Sequence, residues 1–314
     1  MLSQGAIPAQ LRLAMSVMRI LVVLLLAAFP LLAEDSYELR LHRPVKKGDR
    51  FKLTAKIAVD VQTKTIFNAD EVEEEMILAG CTLKGDLTVT DATSKGHIKS
   101  MRLKLSAADC VSDGEAASFF KAGDVIVIRH GDPDEVVKVN GQDPDDTQSE
   151  IIDAFLYVHG DDNATDDELL GVPSKVKTGQ TWPINSEAML KDWVREGFGG
   201  LKAEDMKGST TLSEITKLDG EPAARLLGEF KIENAGLQLP SLPEAIRAKR
   251  FKLELKDETE MPLDPAGTAT RVKTQMNLES DSDGTLEQDD GKAVKVRVNL
   301  RQRCAVELSV SPVK

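Results

Sequence analysis

From Leu53 to Val61 every odd position is apolar, while Thr54, Lys56 and Asp60 lie between them. That period of two predicts a strand with one buried and one wet face. The same period runs through Val294, Val296, Val298, Leu300, Cys304, Val306, Leu308 and Val310, alternating with Lys295, Arg297, Asn299, Arg301, Arg303 and Glu307. A helix would scatter these residues round its circumference, so one long strand, or two joined at a bend near Gln302, is expected. Further strands are predicted at 83–90, 98–105, 124–128, 135–139, 210–216, 223–232, 250–255 and 270–278. Gly96, Gly131-Asp132-Pro133, Asp219-Gly220, Asp264-Pro265-Ala266-Gly267 and Asp283-Gly284 supply local reversals, which favour antiparallel hairpins over long crossovers.

Two stretches change period. Asp143 as cap, Pro144 in the first turn, and Ile151, Ile152, Phe155, Leu156 and Val158 at helical spacing predict a helix that stops at Gly160. A second has Asn185 or Ser186 as cap, Met189, Leu190, Trp193 and Val194 as its apolar stripe, and Gly197 as its stop. Both stripes are expected to pack on concave sheet faces.

The segment Val45-Lys46-Lys47-Gly48-Asp49-Arg50-Phe51 recurs as Val176-Lys177-Thr178-Gly179-Gln180-Thr181-Trp182. In each copy glycine supplies a turn and an aromatic marks the first buried position after it. The expected fold is mainly β (α+β): two related curved antiparallel sheets or half-barrels with two amphipathic helices near their junction. Repeat 1 is expected at 34–160, an acidic linker at 161–168 and repeat 2 at 169–314.

Residues 1–33 read as an export signal. Arg19 precedes an uncharged run from Ile20 to Leu32, and Leu31-Leu32-Ala33 forms a cleavage site before Glu34-Asp35. That run is too short to span a bilayer, so cleavage is expected to leave no stable transmembrane span and to place the chain in the periplasm or outside the cell. It would also move the formal charge from −12 to −14, by removing Arg12 and Arg19. So acidic a chain argues against nucleic acid, whose phosphates demand clustered cations. With aromatics at 4%, the stacking surface of most sugar or single-strand grooves is missing too.

Leu78-Ala79-Gly80-Cys81 matches a lipoprotein signal, but Glu71, Glu73, Glu74 and Glu75 stand where its apolar segment would have to be. Cys81 and Cys110 are the candidate disulfide. Pairing Leu87 with Leu105 and Val89 with Leu103 sets Cys81 opposite Val111, and a single bulge near Ala107-Ala108 would align the cysteines. Cys304 is expected to be a small buried hydrophobe.

Candidate chemistry is sparse. His130 and His159 each begin His-Gly-Asp, which fits either a pair of acid/base or metal sites or two polar turns, and the turns are favoured. His42 and His97 fall at strand or turn positions. Asp281-Ser282-Asp283-Gly284 resembles the start of a calcium loop, making Asp281 and Asp283 weak metal candidates, but the closing bidentate glutamate is missing. No G-x-S-x-G elbow, phosphate loop, H-E-x-x-H helix or C-x-x-C pair occurs, so no catalytic residue and no cofactor is assigned, and a hydrolase is the least favoured class. Two binding readings stay open. One is an apolar or lipid-like small molecule held between sheet and helix by residues such as Ile57, Val59, Phe155, Leu156 and Trp193. The other is an envelope protein bound through an exposed sheet edge or acidic surface.

The exported start, Tyr37-Glu38-Leu39-Arg40-Leu41 leading into Lys46-Lys47-Gly48-Asp49, and Val172-Pro173 with Val176 to Trp182 resemble a domain family of unknown function in exported bacterial proteins, often from planctomycetes. The resemblance implies a predominantly β fold, similar to the open barrels of periplasmic lipoprotein carriers, and supplies no catalytic residues. The chain departs from a lipoprotein pattern in having no cysteine at the signal cleavage site.

Overall fold

The alternating segments form long strands that pair side by side in a computed structural model describing residues 36–68, 71–131, 135–195, 197–239, 242–287 and 292–313. The signal segment lies outside the described residues. In chain order the strands are β1 (Ser36–Tyr37), β2 (Arg50–Phe67), β3 (Glu71–Ala92), β4 (Ile98–Ser112), β5 (Glu115–Ala117), β6 (Val125–Arg129) and β7 (Val136–Val139). They continue with β8 (Val176–Lys177), β9 (Thr181–Pro183), β10 (Met206–Leu218), β11 (Glu221–Asn234), β12 (Ile246–Pro262), β13 (Thr270–Glu287) and β14 (Ala293–Pro312). The helices are α1 (Asp146–Asp153), α2 (Asp166–Leu169) and α3 (Ser186–Arg195).

The fold is mainly β and antiparallel. One open sheet runs β7-β6-β4-β3-β2-β14-β13-β12-β11-β10-β9, with β5 on β4 and with β1 and β8 outside it. The two expected sheets are therefore continuous, because β14 pairs β2 along one side and β13 along the other. β14 is a single strand without the bend allowed for at Gln302. The reversal expected at Asp283-Gly284 is absent as well, and β13 continues to Glu287. Ser280 and Ser282 bury their hydroxyls against each other there, and a Cβ on Gly284 would strike the Ala245 carbonyl as β12 passes.

All four apolar clusters lie on one face of the sheet, as the register requires. The first joins the odd positions of β2 with β3, β4 and β6 under Ile151, Ile152, Phe155 and Leu156. A second sets β11 and β12 against Met189, Leu190 and Trp193 of α3. A third packs Leu39 and Leu41 on Trp182, Leu212 and Leu226 of the second half, while Val45, further along the same segment, donates its N–H to the Gly96 carbonyl of the first. The fourth gathers Ile246, Val294, Val296 and Val298.

Both predicted helices form, with altered limits. α1 begins two residues later than expected, since Asp145 accepts from the Gln148 N–H while Gln148 accepts from the Asp145 N–H. It ends before Phe155, and 155–160 continue as an irregular segment whose His159 N–H donates to the Ile98 carbonyl (2.9 Å). In α3 Val194 is exposed and Asp192 is buried, accepting from the Ala164 N–H and from Arg195. The acidic linker is structured: Thr165 caps α2, and buried Asn163 accepts from the Gly160 N–H.

The repeated turn is reproduced bond for bond. Asp49 N–H donates to Lys46 O and Lys46 N–H to the Asp49 carboxylate; Gln180 N–H donates to Lys177 O and Lys177 N–H to the Gln180 side chain. Gly48 (φ +95°) donates to Val89 O, and Gly179 (φ +81°) to Leu212 O, each hooking the turn to the neighbouring strand. A third copy occurs at Phe120-Lys121-Ala122-Gly123-Asp124-Val125-Ile126, with Gly123 (φ +97°) donating to Leu105 O and Lys121 N–H to the Asp124 carboxylate. In all three the residue three places after glycine (Phe51, Ile126 or Trp182) is buried.

Candidate functional site

The longest strand outruns its neighbour. β3 pairs with β2 from Glu71 to Thr88, but with β4 only from Ala79 onward. The cause is local: Asp113 and Gly114 both take positive φ and fold β4 back into β5, after a last bond from the Asp113 N–H to the Leu78 carbonyl. Apart from that bond, nothing among the described residues pairs with the outer side of 71–78. Just inside that point Cys81 stands opposite Cys110, and the two form a disulfide with Cα atoms 4.2 Å apart. The observed register sets Leu87 against Leu103 and Val89 against Met101, two residues from the expected pairing. The turn closes early, through Thr93 and His97, and the bulge falls at Ser106, between the Lys84–Ala107 and Gly85–Leu105 pairs.

On the uncovered stretch the side chains sort by face. Val72, Glu74, Met76 and Leu78 point away from the core, and Val72, Met76 and Leu78 are 49%, 64% and 45% exposed. Glu73, Glu75 and Ile77 share the core face, with Ile77 reaching the first cluster. Glu74 pairs with Lys64, whereas Glu73 and Glu75 make no ion pair among the described residues. The edge opens onto a groove of about 620 Å³ that crosses to β12 and is lined by Lys64, Glu74, Met76, Arg250 and Arg301 among others.

A second concentration of chemistry lies at the other end of the first half, where all four histidines of the chain meet. His130 N–H donates to Lys99 O and His159 N–H to Ile98 O, so both His-Gly-Asp segments dock on adjacent residues of β4. The His97 ring lies 4.5 Å from that of His42 and 4.9 Å from that of His159. His42 is held by the Lys95 carbonyl (2.8 Å) and raised above the usual histidine range by the Asp166 carboxylate, 3.8 Å away. His97 is 6% exposed, its Nε2 has no hydrogen-bond partner among the described residues, and burial pushes it down to about 4. Burial lowers His159 as well. Asp161 behaves as the turn reading expects, accepting from Ser94 N–H and Lys99. Asp132 and Asp134 lie outside the described residues. Sequence spacing had no means of showing that His42 and His97 complete this group.

The remaining candidates disperse. Ile57, Val59, Phe155 and Leu156 come together in the first cluster, each at most 6% exposed, whereas Trp193 belongs to the second. Asp281 and Asp283 stand in mid-strand, not in a loop. Asp281 takes a two-pronged contact from Arg297, which holds its carboxyl below the usual range, and Asp283 pairs with Lys249. Among the described residues no three His, Cys, Asp or Glu side chains have the geometry to hold a metal ion. Cys304 is buried among apolar neighbours, which raises its thiol to about 11.

Among the described residues no helix is long and apolar enough to cross a membrane. No family model matches the chain. No curated protein matches it either. Among solved structures the chain is similar to Pseudomonas aeruginosa OccK11 (OpdR), at 8% identity over 86% of this chain and 99% of that one, with a TM-score of 0.16, a likeness too slight to bear on fold or function.

Proposed function

We propose that this chain is an exported, non-catalytic binding protein of the bacterial envelope, and that it takes a partner protein along the open edge of β3. The observation that carries this reading is the run from Glu71 to Ile77, paired on one side only and continuous with the groove. Unpaired N–H and C=O groups in a strand already held extended by β2 are a template for strand addition. A protein segment is favoured over an apolar small molecule because four of the residues expected to line a trough, Ile57, Val59, Phe155 and Leu156, are buried in one packed cluster, and Trp193 belongs to another. The export signal and acidic charge of the sequence support a soluble protein beyond the inner membrane.

A photo-reactive residue at Met76, in cells that make the chain, tests the reading. An adduct of defined mass at Met76 that is missing from a control at exposed Tyr157 is the expected result. No adduct at Met76, or the same adducts at both positions, would overturn it.

A further inference from the structure

Resting on that reading, we infer that the partner segment is an extended strand of alternating basic and apolar residues, its cations facing Glu73 and Glu75 and its apolar side chains facing Val72, Met76 and Leu78. In a paired strand, directly opposite residues lie on the same face, so each face of the open edge dictates one of the partner's two alternating sets. On the outer face, Lys64 neutralises Glu74, leaving the exposed Val72, Met76 and Leu78 as its uncompensated chemistry. On the core face, Glu73 and Glu75 have no cation among the described residues.

A second observation points the same way. Glu150 of α1 lies over this face, accepting from Gln302 of β14 (3.0 Å), and is raised by burial and by the like charges of Asp153, Glu75 and Asp146. The core face beside the edge thus gathers negative charge, and among the described residues Glu73, Glu75 and Glu150 make no ion pair. Cations delivered by an added strand would relieve that repulsion. The same charges argue against a second copy of this chain as the occupant. Antiparallel pairing of two such edges about Glu74 would set Glu73 opposite Glu75 and Glu74 opposite its own counterpart, a repulsive arrangement of the kind that keeps natural edges apart.

The test uses the mature chain and three eight-residue peptides: one alternating lysine and valine, one alternating glutamate and valine, and one with four lysines followed by four valines. Fluorescence anisotropy reads affinity, and hydrogen exchange reads protection of 71–78. The alternating basic peptide is expected to bind, to protect 71–78, and to weaken at least tenfold in Glu73→Lys/Glu75→Lys. It should weaken less in Glu73→Gln/Glu75→Gln, both variants keeping the parent Tm because these side chains are exposed. Equal binding of the acidic peptide, or unchanged affinity in the charge-reversed variant, overturns the charge assignment and leaves edge pairing standing. Equal binding of the blocked peptide overturns the alternation. If no peptide protects 71–78, the edge-binding reading falls together with the inference, and a dimer of the chain protected at 71–78 assigns the edge to a second copy.

Discussion

Along β3, residues 79–89 have backbone partners on both sides and residues 71–77 on one only. The covered stretch carries Leu83, Leu87 and Val89 into the core and is tied to β4 by Cys81–Cys110. The uncovered stretch shares the same partner strand yet holds glutamates where the covered one holds leucine and valine. Backbone pairing with β2 is enough to keep it extended. Its charges then keep the exposed edge from joining other edges, and apolar burial is reserved for the part that supports the fold. Stability and availability are thus divided along a single strand.

Three measurements would break or sharpen that division. The largest effect is expected from Cys81→Ala/Cys110→Ala. The linkage closes a sequence separation of 29, and chain-entropy reasoning gives a loss of about 3–4 kcal/mol by denaturant unfolding. A loss under about 1 kcal/mol would show that the covered end is held by packing alone. Next, Leu83→Ala, at a fully buried position, is expected to cost about 3 kcal/mol, while Met76→Ala on the open stretch stays within about 0.5 kcal/mol. Comparable losses would mean that the open stretch is also structural. The smallest concerns the histidines at the turn closing the covered end. His97 and His159 are depressed, so the unfolded chain binds their protons more readily and stability falls with pH once below the unfolded value near 6.5. His42 is raised and works in the opposite sense. From pH 7 to pH 5 a net loss on the order of 2 kcal/mol is expected, flattened in His97→Leu. A profile unchanged by that substitution would remove His97 from the account.

The strands were legible where one face was apolar, as in β2 and β14, and least legible where function is proposed. Glu71, Glu73, Glu74 and Glu75 have low strand propensity, so the predicted strand began at Leu83 and missed the open end of β3, which exists because β2 templates it. In the sequence the same acids stand out only as charges that exclude a lipoprotein signal. The third turn, at Lys121 to Asp124, carried the same lysine, glycine and acid as the first and was available to a search for Lys-x-Gly-Asp. The meeting of the four histidines was not, because it depends on which backbone groups of β4 receive His130 and His159. Nor does alternation reveal partners: it places Val294 to Val310 on one face without saying that β14 would join the two halves.

Because β14 lies between β2 and β13, the two halves cannot share a sheet until the element last in order has been made. While the chain is being synthesised, β2 and β13 each wait with a naked edge of about the length of β14. Their correct partner is separated from β2 by more than two hundred residues. Contacts of that separation form slowly, and an unpaired edge can meet the wrong strand in the meantime. The centre of the finished sheet is therefore its last seam to close, which makes these two strands the natural clients of any factor that holds the chain before it folds.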